Sequence, residues 1–196
     1  MAALLGLLKG LCAVNNVLLL IGRHVAWVAL ATMTVIILYQ IIMRYVFDLA
    51  PNWSEEAARF LMLWMTGLIA PSAYRWGGFV AIDTVVRLLP TALAAILALI
   101  LLVLALTVLV VGLRISFAEV TGFSGSFATA ALCGPLDLVG GESFRVPRSW
   151  MMASMLVGIV LLILVNVEHI LRTIAQLIDP EAPLPVDKHL MAAGAE

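Results

Sequence analysis

RYVFDLAPNWSEEAARFLMLWMTGLIAPSAYRWGGFVAID, residues 44–83, holds most of the charge that lies inside or beside an apolar segment of this chain. Asn52-Trp53-Ser54-Glu55 reads as a helix start, with Asn52 placed to cap and Glu55 three residues on, the spacing of a capping box. Pro51 comes just before, where the backbone is still extended or turning. Glu55 and Glu56 then fall in the first turn, where carboxylates oppose the positive end of the helix dipole. Glu55 and Arg59 are four apart, acid before base, the favourable order for a helical ion pair.

The run that follows, 60–74, is uncharged but only 15 residues long. At the helical rise it covers about 22 Å, short of the roughly 30 Å hydrocarbon layer. A full crossing therefore has to begin near Glu55 or Glu56, which draws Arg59 to the membrane edge. A charge so placed either faces protein or water, as functional intramembrane charges do, or snorkels to the headgroups. Residues 56, 59, 60 and 63 share one helix face, and that face combines Glu56 and Arg59 with Phe60 and Leu63.

Composition puts the whole chain in a membrane. Of its 196 residues 64% are hydrophobic and 12% charged, against about half and a quarter in soluble domains. The net charge of −1 leaves no basic footprint for nucleic acid. Two cysteines, Cys12 and Cys133, form neither a CxxC pair nor a zinc spacing, and read as small apolar side chains. No HExxH, Walker A, GxSxG or GxGxxG motif occurs. No cofactor or metal set is legible, and no nucleophile has a matching base and acid, so an enzyme is not expected.

Periodicity and charge-free length predict an all-α membrane protein of four transmembrane helices with short interfacial helices. The spans fall at about 25–43, 55–74, 90–113 and 149–171, in one domain over 1–178, with a flexible tail at 179–196 that is rich in proline. Residues 1–22 are apolar but interrupted by Lys9 and Asn16, which with Arg23 recur every seven residues on one stripe. That fits an amphipathic interfacial helix or a lead-in to the first span. Residues 79–89 follow Gly77-Gly78 and read as a second interfacial helix, with Asp83 and Arg87 four apart. Residues 114–148 read as a loop, because Gly122, Gly125, Gly134, Gly140 and Gly141 interrupt them. In the last span Asn166, Glu168, His169 and Arg172 close the helix. Four spans put both termini on one side. Lys9, Arg23, Arg75, Arg87, Arg172 and Lys188 fall there, against Arg44, Arg114, Arg145 and Arg148 opposite once Arg59 is counted as intramembrane, and the excess leans to cytoplasmic termini.

One ordered pattern goes further. Arg44-Tyr45-Val46-Phe47, Trp53-Ser54-Glu55-Glu56, Ala58-Arg59-Phe60, Trp64, Tyr74-Arg75-Trp76-Gly77-Gly78 and Ile82-Asp83 resemble the small membrane subunit of tripartite ATP-independent periplasmic (TRAP) transporters. The sequence departs from that family's frequent Arg-Arg-Gly-Gly-His, having Arg75-Trp76-Gly77-Gly78-Phe79. The resemblance implies a multi-pass protein of the bacterial inner membrane with both termini inside. It implies two partners besides lipid: a large membrane subunit that moves substrate and sodium, and a periplasmic substrate-binding protein. The small subunit would be non-catalytic, bracing the large one and helping to dock the binding protein for sodium-coupled organic acid uptake. Arg44, Trp53, Glu55, Glu56, Arg59, Phe60, Leu63, Trp64 and Arg75 are the candidate partner-interface residues. A second class of function is a membrane anchor of a redox enzyme, with a haem held by His24 and His169. Both histidines lie at span ends beside charges, and the uncharged span interiors lack the polar helices of a stand-alone ion-coupled carrier.

Overall fold

The computed structural model describes residues 2–49, 51–76, 91–122, 128–133 and 145–178. They form four helices and a two-stranded ribbon: α1 (Ala2–Val46), α2 (Asn52–Arg75), α3 (Thr91–Thr121), β1 (Ala128–Cys133), β2 (Arg145–Pro147) and α4 (Arg148–Ile178). Three of the helices contain stretches long and apolar enough to cross a membrane: Gly6–Val46, Leu93–Thr121 and Arg148–Ile178. The helix α2 is the exception. Its four charges, Glu55, Glu56, Arg59 and Arg75, leave too short an apolar run. The predicted interfacial helix at 79–89 and the tail at 179–196 lie outside the described residues.

The helix α1 is continuous over 45 residues, about 68 Å at the standard rise. The first 22 residues are thus a lead-in to the first span and make no separate interfacial helix. Its far end closes at Asp48, which adopts a left-handed φ of 53°, while the Leu49 N–H returns 3.0 Å to the Met43 carbonyl. Asp is one of the few side chains that tolerates this conformation. The chain then turns into α2, and the two helices pack as a long antiparallel pair.

At the start of α2 the capping reading needs correction. The helix already includes Asn52, so Pro51 occupies the cap position and no side-chain cap bond forms. Ser54 instead turns back, its Oγ donating 2.7 Å to the Pro51 carbonyl. The proline's extended backbone (φ −73°, ψ 118°) sets the entry one residue earlier than the motif suggested.

The bundle is organised on α4, which packs against α1, α2 and α3, whereas α3 packs mainly on α4. Ala26, Leu68 and Leu161, one residue from each of α1, α2 and α4, form the core, closed by Trp64, Met65, Val157 and Leu164. Backbones come closest where α2 crosses α4. A Cβ on Gly67 would stand 2.6 Å from the Ser154 carbonyl oxygen, and one on Gly158 would stand 2.9 Å from the Gly67 carbonyl oxygen. Only glycine fits either position. Pro71, buried in α2, has no N–H to offer Gly67 four residues back, so that carbonyl is left facing the α4 backbone. Small residues at such crossings let helices approach within van der Waals reach in a membrane.

The described residues within 114–148 carry helix and strand where a loop was expected. The helix α3 continues to Thr121, carrying Arg114 and Glu119 in its last turns. Beyond it β1 and β2 pair antiparallel, with Ala128 opposite Pro147 and Cys133 opposite Arg145, and β1 lies beside α2. Counting glycines missed the ribbon because 128–133 and 145–147 are themselves glycine-free. The outer faces of α1 and α3 expose Val28, Val35, Leu38, Ile100, Leu104 and Val108. Apolar faces of this extent are suited to lipid or to another membrane subunit.

Candidate functional site

The described polar groups gather at two ends of the bundle. The inner cluster is built on Glu168 of α4, which is 1% exposed. Residues 12, 15 and 16 share one face of α1 by the three-and-four rule, and that face meets α4 where α2 ends. Glu168 Oε1 accepts from Cys12 Sγ at 3.1 Å, Arg75 Nη2 at 3.0 Å, and Arg172 Nη2 and Nε at 2.7 and 3.0 Å. Its Oε2 accepts from Asn15 Nδ2 at 2.7 Å. Arg75 Nη1 continues to Asn16 Oδ1 at 2.6 Å, and Arg172 Nη2 donates to Cys12 Sγ at 3.3 Å. One carboxylate therefore ties three helices together.

A carboxylate and two guanidiniums in one buried contact satisfy each other only as a set. Both arginines pair with the same oxygen, and the neutral donors Asn15 and Cys12 fill the remaining acceptor positions. A second layer lies just inside. Tyr74 donates 2.7 Å to Asn166 Oδ1, Asn166 Nδ2 donates 3.1 Å to the Leu102 carbonyl of α3, and Tyr74 meets the His169 ring edge-on at 5.3 Å. This cluster is a clasp by its chemistry: its carboxylate accepts hydrogen bonds on every side and is not poised to take a proton from a substrate.

Cys12 is buried but polar in its contacts, and Glu168, Asn166 and Arg172 do not end a helix, since α4 runs on to Ile178. The sequence did carry a signal for this cluster. Glu168 and Arg172 are four apart, and Cys12, Asn15 and Asn16 form a polar face on an otherwise apolar helix. What was not legible was that the two sets meet.

The other end holds most of the expected interface residues. Trp64, half-buried, donates through Nε1 to the Trp150 carbonyl at 3.2 Å, which puts it level with the first turn of α4. Arg59 lies five residues nearer the start of α2, about 7 Å farther along the axis. It pairs with Glu55, both side chains about two-thirds exposed (70% and 65%). Trp53 stands 6.1 Å from Tyr39 of α1, and Phe60 stands 6.3 Å from Trp64. Arg44 and Leu63 are exposed, and Glu56 is partly so. Arg75 alone is set apart, at the opposite end of α2 and 7% exposed.

The family profile described as "Tripartite ATP-independent periplasmic transporters, DctQ component" matches residues 33–176. The chain belongs to this family. It is a DctQ component, the small membrane subunit of a TRAP transporter, and a multi-pass protein of the inner membrane. DctQ components are parts of transporters and not enzymes. No curated protein matches the chain. The match to the DctQ profile takes in Arg75, Glu168 and Arg172 but not Cys12, Asn15 and Asn16, so the α1 side of the clasp lies outside it. Neither histidine of the haem reading is arranged as a ligand pair. His24 Nδ1 lies 2.8 Å from the Leu20 carbonyl of its own helix, and His169 packs against Tyr74.

Proposed function

We propose that this DctQ component is a non-catalytic brace. It supports the large membrane subunit and helps to dock the periplasmic substrate-binding protein, for sodium-coupled uptake of an organic acid. The observation that carries the reading is the contrast between the two ends of α2. The buried charge at the Arg75 end is paired within the chain, whereas Glu55 and Arg59 pair at the surface among exposed apolar side chains. A chain that turns its buried charge inward offers no polar path for an ion. Its exposed apolar surface suits helices of another subunit.

In this reading all four helices cross the membrane as one domain over 1–178, with both termini cytoplasmic. Arg44, Trp53, Glu55, Glu56, Arg59, Phe60, Leu63 and Trp64 then lie towards the periplasm and face the partners. Arg75 acts inside the chain. Reconstitution tests this directly. Sodium-driven uptake in the presence of the binding protein should need both membrane subunits, and uptake by this subunit alone would refute the brace.

A further inference from the structure

The outer face of α1 carries a regular apolar stripe. Leu7, Val14, Ile21, Val28, Val35 and Ile42 recur every seven residues, and all are 51–65% exposed. The positions three residues after each are exposed as well, with Val17, Leu38 and Tyr45 among them. Alternate steps of three and four along a helix make one straight seam, the spacing of a coiled coil. All but Leu7 of the repeating six are β-branched, a good filling for such positions. The buried stripe of the same helix, Leu8, Cys12, Asn15, Leu19, Gly22 and Ala26, steps by the same fours and threes and meets α2 and α4. The exposed seam lies nearly opposite it on the helix. Lys9, Arg23 and Arg44 fall on a third stripe, so no lysine, arginine or carboxylate interrupts the seam. Its one histidine, His24, keeps Nδ1 2.8 Å from the Leu20 carbonyl of its own helix.

Lipid covers only part of this seam. From Leu7 to Tyr45 it runs about 57 Å, against a hydrocarbon layer of roughly 30 Å, and at a tilt of about 40° it still stands about 44 Å tall. The neighbouring helices turn charged well before it ends. Asn16 meets Arg75, Gly22 meets Leu68 and Tyr39 meets Trp53, so α2 runs beside α1 in a constant register. Glu55, Glu56 and Arg59 therefore stand beside the part of α1 around Val35. The helix α4 begins at Arg148, close to the Trp150 carbonyl that Trp64 binds, and α3 carries Arg114 and Glu119 before it stops at Thr121. Beyond that level α2 is the one described helix beside α1. At the depth of Val35, then, α2 is charged while the outer face of α1 is apolar. Neither bulk lipid nor water suits both, and a protein partner on the seam does.

We infer that the outer seam of α1 docks one long helix of the large membrane subunit, the two packed side by side at the shallow left-handed crossing of a coiled coil. A helix is the occupant that a three-and-four apolar stripe selects, because its side chains fill the gaps between successive turns. It has to be apolar where it crosses the bilayer and to stay so beyond it, to cover Leu38, Ile42 and Tyr45. Gly10 and Ala31 on the seam let it approach closely. A second copy of this chain fits less well. Two copies in one membrane point the same way, and two-fold pairing would set His24 against its own image inside the seam. The identity of the partner rests on the brace reading, whereas the seam rests on the spacing and exposure of α1.

The test uses the full chain in membranes with the large subunit and the binding protein, carrying a benzophenone photo-crosslinker at Val17, at Leu38 or, as the control, at exposed Leu104 on α3. Val17 and Leu38 should crosslink to the large subunit at least tenfold more than Leu104. Val35→Ala with Leu38→Ala, at exposed positions, should lower co-purification of the large subunit severalfold, while Leu104→Ala should not. Crosslinks from Leu38 to lipid alone, or to a second copy of the chain, would overturn the seam. So would wild-type co-purification of the double variant. If the subunits co-purify and crosslink through Leu104 but not through Leu38, the seam fails and the brace stands. Failure of the wild-type chain to co-purify with the large subunit would overturn both.

Discussion

Arg75 and Glu168 stand 93 residues apart in the chain and 3.0 Å apart in space, with 6% and 1% of their side chains exposed. Arg75 is the last residue of α2 and Glu168 lies ten residues before the end of α4, so the contact holds the inner ends of two helices in register. Arg172 and Asn15 bring in the next turn of α4 and the face of α1. Breaking one partner of such a set leaves the others buried and unmatched, which costs more than the set itself contributes.

Glu168→Gln should therefore destabilise the chain by about 3–5 kcal/mol, the range for removing one partner of a buried pair. The amide keeps the shape but removes the carboxylate charge that Arg75 and Arg172 share. Denaturant unfolding in detergent reads this out. A variant with the stability of wild type would mean that the clasp contributes little.

Cys12, 4% exposed and held between Glu168 and Arg172, should resist maleimide labelling in the folded protein. Glu168→Gln should raise its labelling rate at least tenfold by loosening the α1 contact. The check is a labelling time course under native conditions. Rapid labelling of the wild-type chain would place Cys12 at the surface.

Alanine at Gly67 or Gly158 has no room, since its Cβ would press on the opposite backbone. Either change should cost about 1–3 kcal/mol, as overpacking does. Alanine at Gly6 or Gly10, where nothing lies within 4 Å, should be neutral or stabilise by up to about 1 kcal/mol through helix propensity. Four melting curves decide it, and equal shifts at all four sites would remove the close crossing from the account.

Arg59→Ala should leave the stability of the isolated chain within about 1 kcal/mol, because its ion pair with Glu55 is exposed. Co-purification with the large membrane subunit, or transport, should fall severalfold. Arg87→Ala serves as the control and should do little. Wild-type assembly and uptake in Arg59→Ala would make Arg59 a plain headgroup contact.

Much of this protein could be read from residue order alone. Long uncharged runs specify helices in a membrane, because lipid leaves backbone polar groups no other partner. The signature from Arg44 to Asp83 pointed to the family, and the family profile agrees. Glu55 with Arg59 was legible because a helical ion pair is local. The clasp was not. Cys12, Asn15, Arg75 and Glu168 come from three helices, and sequence alone makes Cys12 a small apolar side chain and the other three polar residues of separate segments. Arg75 looked like a surface-facing base on those grounds, and only the packing of α2 on α4 turned it inward. The ribbon at 128–133 and 145–147 was hidden for a related reason, since its partner strands are joined through space across intervening glycines. Periodicity reports which face of a helix is apolar. Which faces meet is decided by close approaches such as Gly67 on Gly158, and those depend on the shape of the other helix.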